Sequence, residues 1–170
     1  MPGFRIDDTD GVSNVAESRR KHRWVFAVLG PTWTREGLLY LKSAARPKFN
    51  LDEPMIHHDQ EQAYFAGKQS WDPITLTWYD IENDPDISAT VYKWLNTVVT
   101  INAAAVAAPS AYKVDSQLSM TNGPGKVTET WVMYGTWPKE VNWGELSYDD
   151  TEIATCEAVI RFDRAKRVDG

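Results

Sequence analysis

The amino-acid sequence predicts a mainly β (α+β) domain. The expected form is a small antiparallel β-barrel or sandwich, with one α-helix packed on it and a long early loop or hairpin. Two patterns carry this. Ile74-Thr75-Leu76-Thr77-Trp78 alternates bulky apolar residues with threonine, the period of two of a half-buried strand. Further on, Ile87, Val91, Trp94, Leu95, Val98 and Ile101 recur at helical spacing and draw one apolar face. The other patterned stretches read as strands, so strands outnumber helices.

In chain order, residues 1–20 are polar and acidic without periodicity, as in Asp7-Asp8-Thr9-Asp10-Gly11. They form an arm with no core of its own, ordered only by a partner. His22 to Leu29 is a strand rich in β-branched and aromatic residues, stopped by Gly30-Pro31. Gly37 to Ala44 follows as the second arm of a meander. Residues 45–70 are a long loop or hairpin containing Arg46-Pro47 and Glu53-Pro54, with no amphipathic pattern. Connections this long are usually functional or disordered. Phe49, Leu51, Met55, Ile56, Tyr64 and Phe65 argue against disorder, which is poor in such residues. Apolar side chains with no home in their own core point to a home on another subunit, so these six are the candidate interface residues.

Asn83-Asp84-Pro85-Asp86 opens the helix, expected over about 84–101. Asp84 suits the cap, Pro85 the first helical position, and Asp86 the positive end of the dipole. Ile87, Val91, Trp94, Leu95 and Val98 form its core face. Ala103 to Ala108 is weakly patterned. Tyr112 to Met120 reads as a strand, Thr121 to Gly125 as a turn, and Val127 to Met133 as the returning strand. A polar knee, Gly135 to Glu145, leads to a final strand from Glu152 to Phe162. The chain thus divides into an N-terminal arm (1–20), one β domain (21–163) and a basic C-terminal tail (164–170).

A chain of 170 residues, 42% hydrophobic and 25% charged, is long enough for one domain with a full core and needs no disulfide or metal to hold it. The net charge of −6 gives no electrostatic reason to wrap nucleic acid. Cys156, the single cysteine, excludes an intrachain disulfide and sits in the last strand, where a small packing residue is the better reading than a nucleophile. No apolar run approaches the ~20 residues of a membrane-spanning helix, and the expectation is a soluble chain made in a cytoplasm, with no membrane partner.

Several constellations invite chemistry. His57-His58, beside Asp59 and Glu61, suggests a metal, but adjacent residues on a strand point to opposite faces, and a solvated polar loop is the better reading. Asp149, Asp150 and Glu152 resemble an acid–base set, yet Tyr-Asp-Asp-Thr before a strand is ordinarily a turn. There is no nucleophile elbow, no phosphate-cradling glycine loop and no zinc motif, so neither catalysis nor a cofactor is expected. The chain has eight tryptophans. Trp71, Trp78, Trp131, Trp137 and Trp143 raise the possibility of a sugar-stacking platform. The strand positions of Trp78 and Trp131 favour the core, which leaves Trp137 and Trp143 for loops or an interface.

Two stretches resemble the tail tube proteins of contractile-tailed bacteriophages. One is Trp71-Asp72-Pro73 with the alternating strand to Asp80 and the capped helix after it. The other is Gly135-Thr136-Trp137-Pro138-Lys139-Glu140-Val141, then Gly144-Glu145-Leu146-Ser147-Tyr148-Asp149, then a closing strand. His22 to Gly30 also fits the family's opening strand, and order and spacing agree over most of residues 20–163. The sequence departs at Trp143-Gly144, which lengthens the knee, and at the tail Arg164 to Arg167, which has no counterpart. The resemblance implies a structural virion protein that forms six-membered rings stacked into a hollow tube, with residues 45–70 reaching the next ring. It implies sheath, baseplate and ruler (tape measure) proteins as partners, and DNA passing through the lumen without specific binding. A tube protein of a bacterial secretion or contractile injection apparatus shares these features. A monomeric ligand- or carbohydrate-binding β-barrel is the alternative of another class.

Overall fold

The computed structural model describes residues 20–28, 40–58, 61–82, 86–101, 103, 105–149 and 151–169. Its strands are β1 (Trp24–Val28), β2 (Leu41–Ala44), β3 (Phe49–Leu51), β4 (Met55–His58), β5 (Glu61–Tyr64), β6 (Gln69–Trp71) and β7 (Ile74–Tyr79). After helix α1 (Ile87–Val98) come β8 (Val99–Thr100), β9 (Ala105–Val106), a helical turn at Pro109–Tyr112, β10 (Val114–Thr121), β11 (Val127–Asn142), β12 (Thr155–Arg161) and β13 (Arg164–Asp169). This is the mainly β fold with a packed helix that the patterning predicts.

The main sheet runs β1-β10-β11-β12-β7-β2, with β13 beside β11, and its strand pairs are antiparallel. β11 organises it. Its first part lies between β10 and β13, and its last part pairs with β12. Tyr134 faces Arg164 and Trp137 faces Arg161, so β12 and β13 follow β11 around a corner as one bent ribbon. Gly135 makes the corner. Its φ of +66° is a left-handed conformation, and a Cβ there would stand 2.5 Å from Asp163 Oδ2. The Gly135 amide donates to Asp115 Oδ1 at 3.2 Å, and the Asp163 amide donates to the Tyr134 carbonyl at 2.9 Å. Lys113 Nζ holds the Asp163 carboxylate at 2.8 Å.

The bend turns two strand groups onto one core. Phe26, Val28, Leu118 and Met133 come from one group, and Ile74, Leu76, Trp78, Cys156, Ala158 and Ile160 from the other. Helix α1 adds Ile87, Val91 and Trp94 to the same cluster. Val98 is also buried, and Leu95 is half-buried.

Several boundaries differ from the sequence reading. The helix is capped by Asp86, whose Oδ1 accepts from the Ala89 amide at 2.9 Å, and Asp84 and Pro85 lie outside the described residues. The helix stops at Val98 because Val99-Thr100 turns extended and pairs with Ala105-Val106, which leaves Ile101 exposed. The polar knee is mostly strand. Pro138 sits where the register with β12 shifts, the kind of position at which a strand tolerates a missing N–H. The basic residues 164–167 form part of β13 rather than a loose tail, with Arg164 lying over the Tyr134 ring. The strand predicted from Gly37 is described from Tyr40 onward, and the acidic arm of residues 1–19 lies outside the described residues.

Candidate assembly surface

Residues 48–58 and 61–72 form a projecting β-ribbon. At its root β3 pairs with β6, Phe49 opposite Trp71 and Leu51 opposite Gln69. Further out β4 pairs with β5, Met55 opposite Tyr64 and Ile56 opposite Ala63. Backbone bonds between the two steps keep the ribbon continuous: Asp52 N to Lys68 O (2.9 Å), Gly67 N to Asp52 O (2.7 Å) and Phe65 N to Pro54 O (3.0 Å). Gly67 permits this approach, since a Cβ there would stand 2.8 Å from Pro54 Cδ.

The root is anchored chemically. The Phe49 ring meets Trp71 edge-on at 4.8 Å, and Trp71 packs against Trp131 and Phe162 of the sandwich at 6.4 and 6.0 Å. Asp72 Oδ1 accepts from Asn50 Nδ2 at 2.7 Å, and Lys48 Nζ stands 3.0 Å from Asp72 Oδ2. The hydrogen bond from Asn50, then that from Lys48, hold the Asp72 carboxyl below its usual range.

All six candidate interface residues lie on this ribbon or at its bend. Phe49, Leu51, Met55, Ile56, Tyr64 and Phe65 are each between 43% and 60% exposed. Side chains of this kind are ordinarily buried, and a cluster of them in water marks a contact surface. The sandwich adds open edges. Among the described residues β1 pairs only with β10, β2 only with β7, and β13 only with β11. Unpaired strand edges are templates for another chain.

The remaining predicted residues have quieter places. His57 faces Gln62, and His58 faces Glu61, at the far end of the ribbon. Cys156 is buried, its thiol pushed up to about 11 first by burial and then by the charges of Asp80 and Glu157, so it packs rather than reacts. Trp78 is fully buried, and Trp131 is half-buried with its indole Nε1 donating to Glu129 Oε1 at 2.6 Å. Trp137 meets the Tyr112 ring at 5.9 Å, and Trp143, 40% exposed, lies 6.3 Å from Tyr92. These aromatics engage neighbours separately and do not form one row.

Two features escaped the sequence reading. Leu146 and Tyr148, ahead of Asp149, and Ile153, at the start of the predicted final strand, stand exposed. Three large apolar residues within eight positions of an otherwise polar stretch were the available signal. The second is an open cavity of about 400 Å³ lined by Lys21, Trp24, Ala44, Arg46, Leu118 and Met120. Residues so far apart in the chain carry no joint sequence signal.

A domain with open sheet edges and a projecting apolar ribbon has the form of an assembly subunit. Residues 57–166 match the T4-like virus tail tube protein gp19 family, and the chain belongs to that family. It is therefore a structural tail tube protein, not an enzyme. The chain is 26% identical over 138 residues to the tail tube protein of Serratia phage KSP90, covering 77% of this chain and 76% of that one. Among solved structures, the tube terminating cap of the anti-feeding prophage matches 95% of this chain and 98% of its own, with a TM-score of 0.73 at 20% identity. The sheath/tube terminator of the extracellular contractile injection system PVC matches 91% of this chain and 99% of its own, with a TM-score of 0.69 at 16% identity. These two structures establish the shared fold.

Proposed function

We propose that this chain joins head to tail into six-membered rings, and that the rings stack into a tail tube whose lumen conducts DNA on ejection. The ribbon, with its six exposed apolar residues, carries the reading, because no layer among the described residues covers them. The open edges of β1, β2 and β13 are the joints of the ring, and a heterologous contact closes when its rotation permits. A net charge of −6 suits a lumen that repels phosphate, so that DNA slides without specific binding. The partners are then further copies, a sheath, a baseplate and a ruler (tape measure) protein, in a virion tail assembled from chains made in the host cytoplasm.

A second reading, the tube of a bacterial contractile injection or secretion apparatus, draws on the likeness to the two terminator structures. The test of assembly is negative-stain electron microscopy of the purified protein at high concentration, alongside its mass in solution. Rings or tubes with an axial hole are expected. A strict monomer whose tryptophan fluorescence shifts on titration with glycans would replace assembly with ligand binding.

A further inference from the structure

Among the described residues, neither the cavity between β1 and β2 nor the tip of the ribbon meets a counterpart. The cavity has a buried apolar floor, Leu118 and Met120, with Trp24 and Ala44 on its walls. Lys21 and Arg46 are exposed residues of its lining, and Arg46 reaches in far enough for its guanidinium to donate to the Met120 sulfur. At about 400 Å³ it has room for a branched apolar side chain with a carboxylate beside it.

The tip of the ribbon offers that combination on one face. Residues directly opposed in an antiparallel pair share a face, and so do residues two apart. Met55, Tyr64 and Gln62 therefore share one face, where Tyr64 Oη donates to Gln62 Oε1 at 2.9 Å. Ile56, Ala63 and Glu61 share the other. Opposite the small Ala63, Ile56 stands proud as a knob, 60% exposed, with Phe65 following two residues after Ala63. Glu61 lies on the diagonal about 7 Å away, a separation that suits an apolar floor with cations at its rim.

The knob cannot enter the cavity of its own copy. Arg46 precedes the root of the ribbon, and ten residues of extended chain from there to Ile56 reach roughly 33 Å outward. A ribbon paired along its length does not fold back on its root. We propose that the cavity of one copy receives the ribbon tip of a second copy, with Ile56 against Leu118 and Met120 and Glu61 against Arg46 and Lys21. This rests on the reading that the ribbon contacts another copy, and it assigns the receiving site. Knob and socket lie far apart on each chain, so the contact is heterologous and propagates as a stack.

Cys156 is the only cysteine and is buried, so introduced thiols report without background. A chain carrying Ile56→Cys is mixed with one carrying Ala44→Cys, assembled and oxidised. A disulfide-linked dimer is expected from the mixture, and neither variant alone should give one. Arg46→Glu is expected to lower the assembled fraction about tenfold, and Glu61→Arg in the same chain to restore it. Circular dichroism of the monomers checks that each variant folds. Tubes that form without the cross-link and without charge rescue would overturn the cavity assignment while leaving assembly intact. Failure of the unmodified protein to assemble would overturn both.

Discussion

The ribbon of residues 48–72 and the β11–β12–β13 ribbon are built from the same device, antiparallel pairing of strands that carry apolar and aromatic side chains. They handle those side chains in opposite ways. The long ribbon bends at Gly135, which lets Met133, Ala158 and Ile160 meet Phe26, Leu76 and helix α1 in one core. The projecting ribbon has no second layer among the described residues, and its six large apolar residues remain exposed. An isolated two-stranded ribbon is marginal on its own. Here the Trp71 anchor and the Asp72 bonds hold the root, while the outer half contributes little to the fold. Stability therefore resides in the bent sandwich, and the surface available for assembly resides in the projecting ribbon.

Substitutions in the two regions should separate these roles. Trp94→Ala removes a large side chain that is 2% exposed between α1 and the sandwich, and should cost about 3–5 kcal/mol. A denaturant titration of the monomer checks it, and a loss below about half a kcal/mol would place the helix face elsewhere. Gly135→Ala should cost about 1–3 kcal/mol in the same titration, because the alanine would need the left-handed conformation and its Cβ would crowd Asp163. An unchanged midpoint would mean that the corner is not set by this glycine.

The smallest effect concerns the root of the projecting ribbon. The Asp72 carboxyl is depressed below its ordinary 3.8, so its stabilising contribution is present above that value. It is lost as pH falls through the lowered value, when the protonated acid gives up its bonds to Asn50 and Lys48. Hydrogen exchange should show the Asp72 amide, which donates to the Lys48 carbonyl, losing protection in that acid range. Asp72→Asn should remove this pH dependence. Equal protection on both sides of the transition would leave Asp72 without a role at the root.

The central elements were legible because their patterns are local. The Thr–apolar alternation of Ile74–Trp78 became β7, and the spacing of Ile87, Val91 and Trp94 became the buried face of α1. The apolar residues of the ribbon were legible as displaced, since they follow no period and lie between prolines. What escaped depends on partners distant in sequence. Gly135 and Pro138 signal a loop locally, yet pairing with β12 and β13 carries the strand through them. Arg164 to Arg167 look like a tail until β11 supplies the other half of the ladder. The cavity joins β1, β2 and β10, which no local pattern connects.

The most direct measurement takes the Phe49→Ser, Met55→Ser, Ile56→Ser triple variant beside the unmodified chain, through denaturant titration and electron microscopy. Met55 and Ile56 are already exposed and Phe49 gives up its ring contact with Trp71, so the monomer should stay folded and lose about 0.5–1.5 kcal/mol. Stacked tubes should be absent. Normal tubes from the variant would contradict the assignment of assembly to the ribbon.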